Sequence, residues 1–425
     1  MADLPQYLSS IPCLPPELWL NVFEHATDIP GAYTHRDSPA ITAFTRDQHG
    51  ISVHRRYREA ADLMLVAIRV CKSWVPLAAT CLFKYLLIKS GEHAVAISKT
   101  LQSPAILLPQ NLSQYPIRLE LALEGVHVWE AHHRKAFASI ISICPNIRIF
   151  SNVFSSVSSA ICGGSHFLGS MADIVIHLRP NVCRLELKGS CREIDIILHR
   201  LSSRLQVLWL LHDRSDCSAE QDFFLPITFP SLHTLILSDR GTSSAAPHSW
   251  TMPSLRSFYT RNAESMHAIH FFDAHARGLL YLGINHHSFG QLHLCSSLLE
   301  LTIFSADLLN ATSATLPPSI RVLKIIDDTT QPPSLTSMAV PRVTWHLRDF
   351  LQERQNLPSL KTLGFLLLLG WTRVRGSPHL KEWRNAFCSL ETVCRHRGVR
   401  LEVSIGADQH SADVWRTMHP DILFQ

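Results

Sequence analysis

The sequence predicts an α/β chain: a short N-terminal helical module followed by a solenoid with a parallel sheet. Three observations point there. Beyond about residue 100, apolar residues recur in the pattern Leu-x-x-Leu-x-Leu. Between several copies the apolar period changes from two to about 3.6, as strand gives way to helix. Ahead of residue 90 the apolar spacing is helical.

The first helix starts at Pro15 and Pro16, because proline suits positions whose N–H has no intrahelical acceptor, and Glu17 complements the positive helix end. Leu18, Val22, Phe23 and Ala26 then form one stripe that something must cover. Asp28, Pro30 and Gly31 end it. A polar segment from about residue 27 to 56 reads as an inserted loop, and loop length is entropically cheap. Helical spacing resumes from Arg55 to Cys71, with Leu65, Ile68 and Cys71 on one face, until Pro76 forbids continuation. A third helix carries Leu77, Ala78, Cys81, Leu82 and Tyr85 on its inner side. Three short helices cannot bury all these stripes among themselves.

The clearest repeat copies are Val182-Leu185-Leu187, Leu205-Leu208-Leu210, Leu232-Leu235-Leu237, Leu279-Leu282-Ile284, Leu298-Leu301-Ile303, Ile320-Leu323-Ile325 and Leu360-Leu363-Phe365. Several follow Pro-Ser or Pro-Asn. Leu255-Phe258 is a partial copy, Ile147-Phe150 an earlier one, and Arg400 to Val403 a closing strand. From 320 to 360 the step widens, which implies an insertion or an irregular copy near Leu335-Met338-Val340. Ile194, Ile197, Leu198 and Leu201 mark one intervening helix. Trp383, Phe387, Leu390 and Cys394 mark another, ended by Gly398. Strand and helix in series imply right-handed crossovers and a parallel sheet.

The opening Leu14-Pro15-Pro16-Glu17-Leu18 and the segment Val70-Cys71-Lys72-Ser73-Trp74 resemble the two halves of an F-box, the helical docking module of the F-box family, over about residues 12 to 90. The inserted loop departs from the short connection usual in that family. The repeats behind it, about residues 100 to 425, resemble degenerate leucine-rich repeats. The resemblance implies that Leu14, Pro15, Leu18, Val22, Val70, Cys71 and Trp74 form or support a surface for the small Skp-type adaptor of a cullin-RING ubiquitin ligase. Phe23 and Leu82 are lesser candidates.

A solenoid stacks because one repeat has too little core of its own, and its inner strand face offers a broad surface. The variable strand positions on that face nominate Trp209, Ile236, Tyr259, Arg261, Asn285, Phe304 and Lys324 as contacts for an unknown target protein. Each also has a plainer reading as covered core or solvated surface.

Composition excludes several classes. The formal net charge of +4 on 425 residues, with cations scattered along the chain, gives no expectation of nucleic acid or membrane as partner. The N-terminus lacks a secretory signal and no apolar run is long enough to span a bilayer, so a cytoplasmic or nuclear location is expected. Eleven cysteines without a Cys-x-x-Cys read as reduced thiols. His132-His133 and His286-His287 are adjacent, which places neither pair on one face, so no metal site is expected.

Gly163-Gly164-Ser165-His166 lacks the second glycine of a nucleophile elbow, and Gly164 to Gly169 is followed by Ser170-Met171 rather than the lysine of a phosphate loop. Asp327-Asp328 reads as a solvated strand end. No catalytic activity and no cofactor are therefore expected. The leading expectation is a substrate-recognition subunit of an SCF-type ubiquitin ligase, and the alternative is a solenoid scaffold unconnected to ubiquitin transfer. A hydrolase on a repeat-like sheet comes third.

Overall fold

The computed structural model describes residues 14–28, 46–103, 111–123, 129–153, 155, 178, 181–189, 191–212, 226–239, 249–260, 266–284, 286–304, 316–327, 339–353, 357–367 and 380–405. Its strands are β1 (Tyr85–Ile88), β2 (Arg118–Leu121), β3 (Ile149–Ser151), β4 (Arg184–Gly189), β5 (Val207–His212), β6 (Thr234–Asp239), β7 (Ser257–Thr260), β8 (Tyr281–Ile284), β9 (Glu300–Phe304), β10 (Val322–Asp327), β11 (Thr362–Leu367) and β12 (Arg400–Ile405). They form one parallel sheet whose spatial order is the chain order. Each strand therefore bonds only to its neighbours in sequence.

The register explains why the repeat was visible. Leu86, Leu119, Phe150, Leu185, Leu208, Leu235, Phe258, Leu282, Leu301, Leu323, Leu363 and Leu401 stand side by side across all twelve strands. All belong to the main core. The residue three positions before that row, such as Val182, Leu205, Leu232, Leu298 or Ile320, is buried under it as the chain enters the strand. Each buried leucine is stabilised by about 2 kcal/mol relative to exposure, but only when a neighbouring unit covers it.

The Pro-Asn and Pro-Ser dipeptides have a structural task as well. Asn146 Nδ2 donates to Gln114 O (2.6 Å), Asn181 Nδ2 to Pro145 O (3.0 Å), Ser254 Oγ to Pro230 O (2.7 Å) and Ser319 Oγ to Leu298 O (2.8 Å). Each bond ties one unit's turn to the unit before it, and so satisfies a carbonyl that neither strand nor helix uses.

Nine α-helices occur among the described residues. The first three are α1 (Pro16–Ala26), α2 (Arg46–Val70) and α3 (Val75–Phe83), with a 3-10 turn at Lys72–Trp74 between the last two. Thr27 Oγ1 donates to Phe23 O at the end of α1 (2.7 Å). Next come α4 (Gly91–Gln102), α5 (Ala131–Ile143), α6 (Cys191–Leu201), α7 (Met266–His275), α8 (Ala339–Gln352) and α9 (Leu380–Arg397). Helices α4 and α5 lie together, as do α8 and α9. The Arg397 guanidinium bridges the last two by donating to Leu351 O (2.9 Å) and Leu357 O (3.2 Å). Ile194, Ile197, Leu198 and Leu201 are buried on α6, and Phe387, Leu390 and Cys394 on α9. Gly398 takes φ +68°, the left-handed conformation that ends a helix at no steric cost.

Five expectations are corrected or narrowed by the structure. The segment 46–56, read as inserted loop, belongs to the 25-residue α2. The segment lacks an apolar stripe and contains Gly50, Ser52 and Val53, so pattern and propensity both pointed away from a helix. The inward face of α2 carries Met64 and Ala67, whereas Leu65 and Cys71 are exposed. On α1, only Phe23 of the expected stripe is buried, with Trp19 and Leu20 partly so. Tyr85 is the first residue of β1 rather than the end of a helix, so the sheet starts inside the span assigned to the helical module. The long step between Ile320 and Leu360 contains helix α8. No strand intervenes among the described residues, and Leu335 and Met338 lie outside them.

Candidate functional site

The three N-terminal helices close on a small cluster of their own: Phe23, Met64, Ala67, Ala78 and Cys81, flanked by Trp19, Leu20, Ile68, Trp74, Leu77 and Leu82. Trp74 is held between Trp19 (ring centroids 4.5 Å) and Phe23 (5.2 Å, edge on). It is thus a half-buried organiser of the module rather than part of its outer surface.

What the cluster leaves outside is apolar. Leu14 (42% exposed), Leu18 and Val22 (both 47%) line one side of α1, and Leu63 (44%), Val66 (58%) and Val70 (58%) recur along α2. Pro15 is exposed at the N-cap of α1. Apart from Leu65 on α2 and Ile196 on α6, these are all the large apolar side chains exposed among the described residues. Scattered exposed leucines are ordinary, but this concentration on two helices makes it the candidate interaction surface. Leu63 and Val66 were missed by sequence reading, although their i, i+3 and i+7 spacing with Val70 was available.

Cys71 is exposed beside this surface, with Sγ 3.1 Å from Ser73 Oγ, and that hydrogen bond lowers its thiol below the usual range.

The sheet face opposite the main core differs from expectation. Trp209, Ile236 and Tyr259 are at most 2% exposed, and form a second cluster with Val153, Leu211 and Ile326. None of the three is an exposed anchor. Alternation placed them correctly on the second face, but it carries no information about whether that face is covered. Lys324 is half-buried on the same face and pairs with Glu300 (2.7 Å). Phe304 ends β9, with its backbone opposite Ile326, and its side chain lies outside what is described. Arg261 and Asn285 lie outside the described residues, as does the stretch from Gly163 to Met171.

Near the helical module this face carries buried charge. Arg118 Nη2 lies 2.7 Å from Glu120 and 2.8 Å from Glu186, and Arg184 Nη2 lies 2.6 Å from Glu186. Tyr85 donates its hydroxyl to Glu120 (2.5 Å), and the Tyr57 ring of α2 packs at a tilt against Tyr85 (centroids 4.6 Å). Burial alone would raise the Glu186 carboxyl, but Arg118 and Arg184 overcome it and hold the pKa at about 2. Burial, followed by the Glu120 charge, raises both tyrosine hydroxyls. Through Tyr57 the long helix of the module is seated on the first strand of the sheet.

One cluster has metal-ligand chemistry. Glu92, His132 and His133 bring their ligand atoms within 4.8 Å of one another at the first turns of α4 and α5. Adjacent histidines meet here because the third member comes from a neighbouring helix. However, His133 Nδ1 accepts the backbone N–H of Glu130 (3.1 Å) in a capping box, which puts the ring proton on Nε2, directed at Glu92 (2.9 Å). A metal on Nε2 would force a proton onto Nδ1 against that N–H, and two positive helix ends face the spot. The cluster therefore reads as a helix cap.

No described helix is long and apolar enough to cross a membrane. No protein-family model matches the chain, and no curated protein matches it.

Proposed function

We propose that the protein is a substrate-recognition subunit of an SCF-type ubiquitin ligase. An F-box-like module over residues 12 to 90 docks a Skp-type adaptor, and a leucine-rich-repeat-like solenoid behind it holds a target protein. The observation that carries this reading is the exposure of Leu14, Leu18, Val22 and Val70, four of the residues nominated by the resemblance, on a module whose own core is already filled. The strictly sequential strand order supports the solenoid. On this reading the protein is not an enzyme; it raises the local concentration of the target near a thioester carried elsewhere.

A scaffold without ligase involvement, its helices serving only to cap the sheet, is favoured by one observation: Tyr57 seats α2 on β1. The two readings separate on the double variant Leu18→Asp/Val22→Asp, tested for binding to purified Skp-type adaptor. Both positions are exposed, so the fold is retained. The ligase reading expects the wild-type chain to bind and the variant to lose at least about tenfold, the effect of about 1.4 kcal/mol at an interface core. A wild-type chain that fails to bind the adaptor overturns it.

A further inference from the structure

The cations that are scattered in sequence come into line in the sheet. The residue just before each strand from β3 to β11 occupies one register row, because its N–H donates to the corresponding carbonyl one strand earlier. Examples are Cys183 to Arg148 (2.9 Å), Arg256 to His233 (3.0 Å), Arg321 to Leu299 (2.8 Å) and Lys361 to Arg321 (2.8 Å). Arg148, Arg256, Arg321 and Lys361 are exposed members of this row, and no aspartate or glutamate stands in it. Among the described residues none of the four has a carboxylate partner; the Arg256 guanidinium donates to Gly278 O (3.2 Å).

We propose that this row is a docking ridge for an acidic, extended polypeptide segment. Eight strand steps of about 4.8 Å make the ridge about 38 Å long, the reach of roughly a dozen extended residues. Its geometry favours a peptide over other polyanions. The row is one side chain wide, whereas a membrane needs a plane of charge, and it offers no exposed aromatic ring on which nucleic-acid bases would stack. Four unneutralised cations spread along the row, with Cys183, Gln206, His233, Leu280 and Leu299 between them, attract a carboxylate-rich strand and hold it by a few weak, salt-sensitive contacts. The inference is independent of the adaptor reading, because it uses no residue of the helical module.

The test is fluorescence anisotropy of the full chain with a labelled poly-glutamate peptide, at low and physiological salt. The variant replaces Arg148, Arg256, Arg321 and Lys361 by glutamine, which keeps their aliphatic stems and backbone bonds. A control replaces the exposed Lys72, Lys99, Lys135 and Lys381 instead. Single glutamine variants are measured as well, in case the fourfold variant is unstable. The expected result is a loss of about tenfold or more in the ridge variant, little change in the control, and an affinity that falls with salt. Equal binding by ridge variant and wild type overturns the proposal, and so does tighter, ridge-dependent binding of duplex DNA or anionic vesicles than of the peptide.

Discussion

Replacing Glu186 by glutamine tests whether buried charge holds the first strands in place. Glu186 is fully buried and receives Arg118 and Arg184 at 2.8 and 2.6 Å. With Glu120, the four groups sum to zero charge, so glutamine leaves one positive charge uncompensated inside the protein. The size of the effect follows from linkage. A carboxyl moved from an ordinary 4.5 to about 2 is worth about 3 kcal/mol at neutral pH, at 1.36 kcal/mol per unit. Removal of one member of a buried pair independently suggests about 3–5 kcal/mol.

Because the folded-state value is depressed, this stabilisation is complete above about pH 4.5 and is lost as pH falls through about 2. Urea denaturation at neutral pH, followed by repeats in the acid range, reads both effects. We expect Glu186→Gln to lose about 3 kcal/mol and to lack that part of the acid dependence. A loss below about 1 kcal/mol, the worth of an exposed pair, would refute the reasoning.

Trp209→Ala should cost about 3–5 kcal/mol by thermal or denaturant melting, as for a large core side chain, whereas an exposed interface anchor would cost almost nothing. Thiol chemistry offers a second check. Burial pushes Cys295 and Cys394 up to about 12, while Cys71 is exposed and lowered by Ser73. Timed alkylation with mass spectrometry should therefore modify Cys71 well before either buried thiol, and early labelling of Cys295 would contradict the packing described.

The strands from β3 to β12 were legible because most carry the apolar triplet and the others part of it, and a row of leucines is a sequence pattern as much as a structural one. Strands β1 and β2 were missed. Tyr85 also fits the helical spacing of Leu77 and Cys81, and only pairing with Arg118 in the next strand makes it extended. The start of α2 was missed for a different reason: its first turns lack a stripe and hold poor helix formers such as Gly50 and Val53. Within the proposed docking surface, Leu14, Leu18, Val22 and Val70 came from motif resemblance. Leu63 and Val66 became visible once Met64 and Ala67 were seen to take the inner side. Trp209 and Tyr259 share a buried cluster with Val153 and Ile326, distant in sequence, which no local period records. Nor does local sequence show Arg148 and Lys361 in one row.

Strand order that never departs from chain order makes the molecule countable. A barrel must close at a fixed number of staves, but here the number of strands is free. Removing one complete unit would let its two neighbours meet edge to edge, with their leucines still in line, whereas a cut through the middle of a unit would strand half a helix. Families of this build can therefore grow or shrink by whole units, each gain lengthening and each loss shortening the distance between things held at the two ends by about 5 Å.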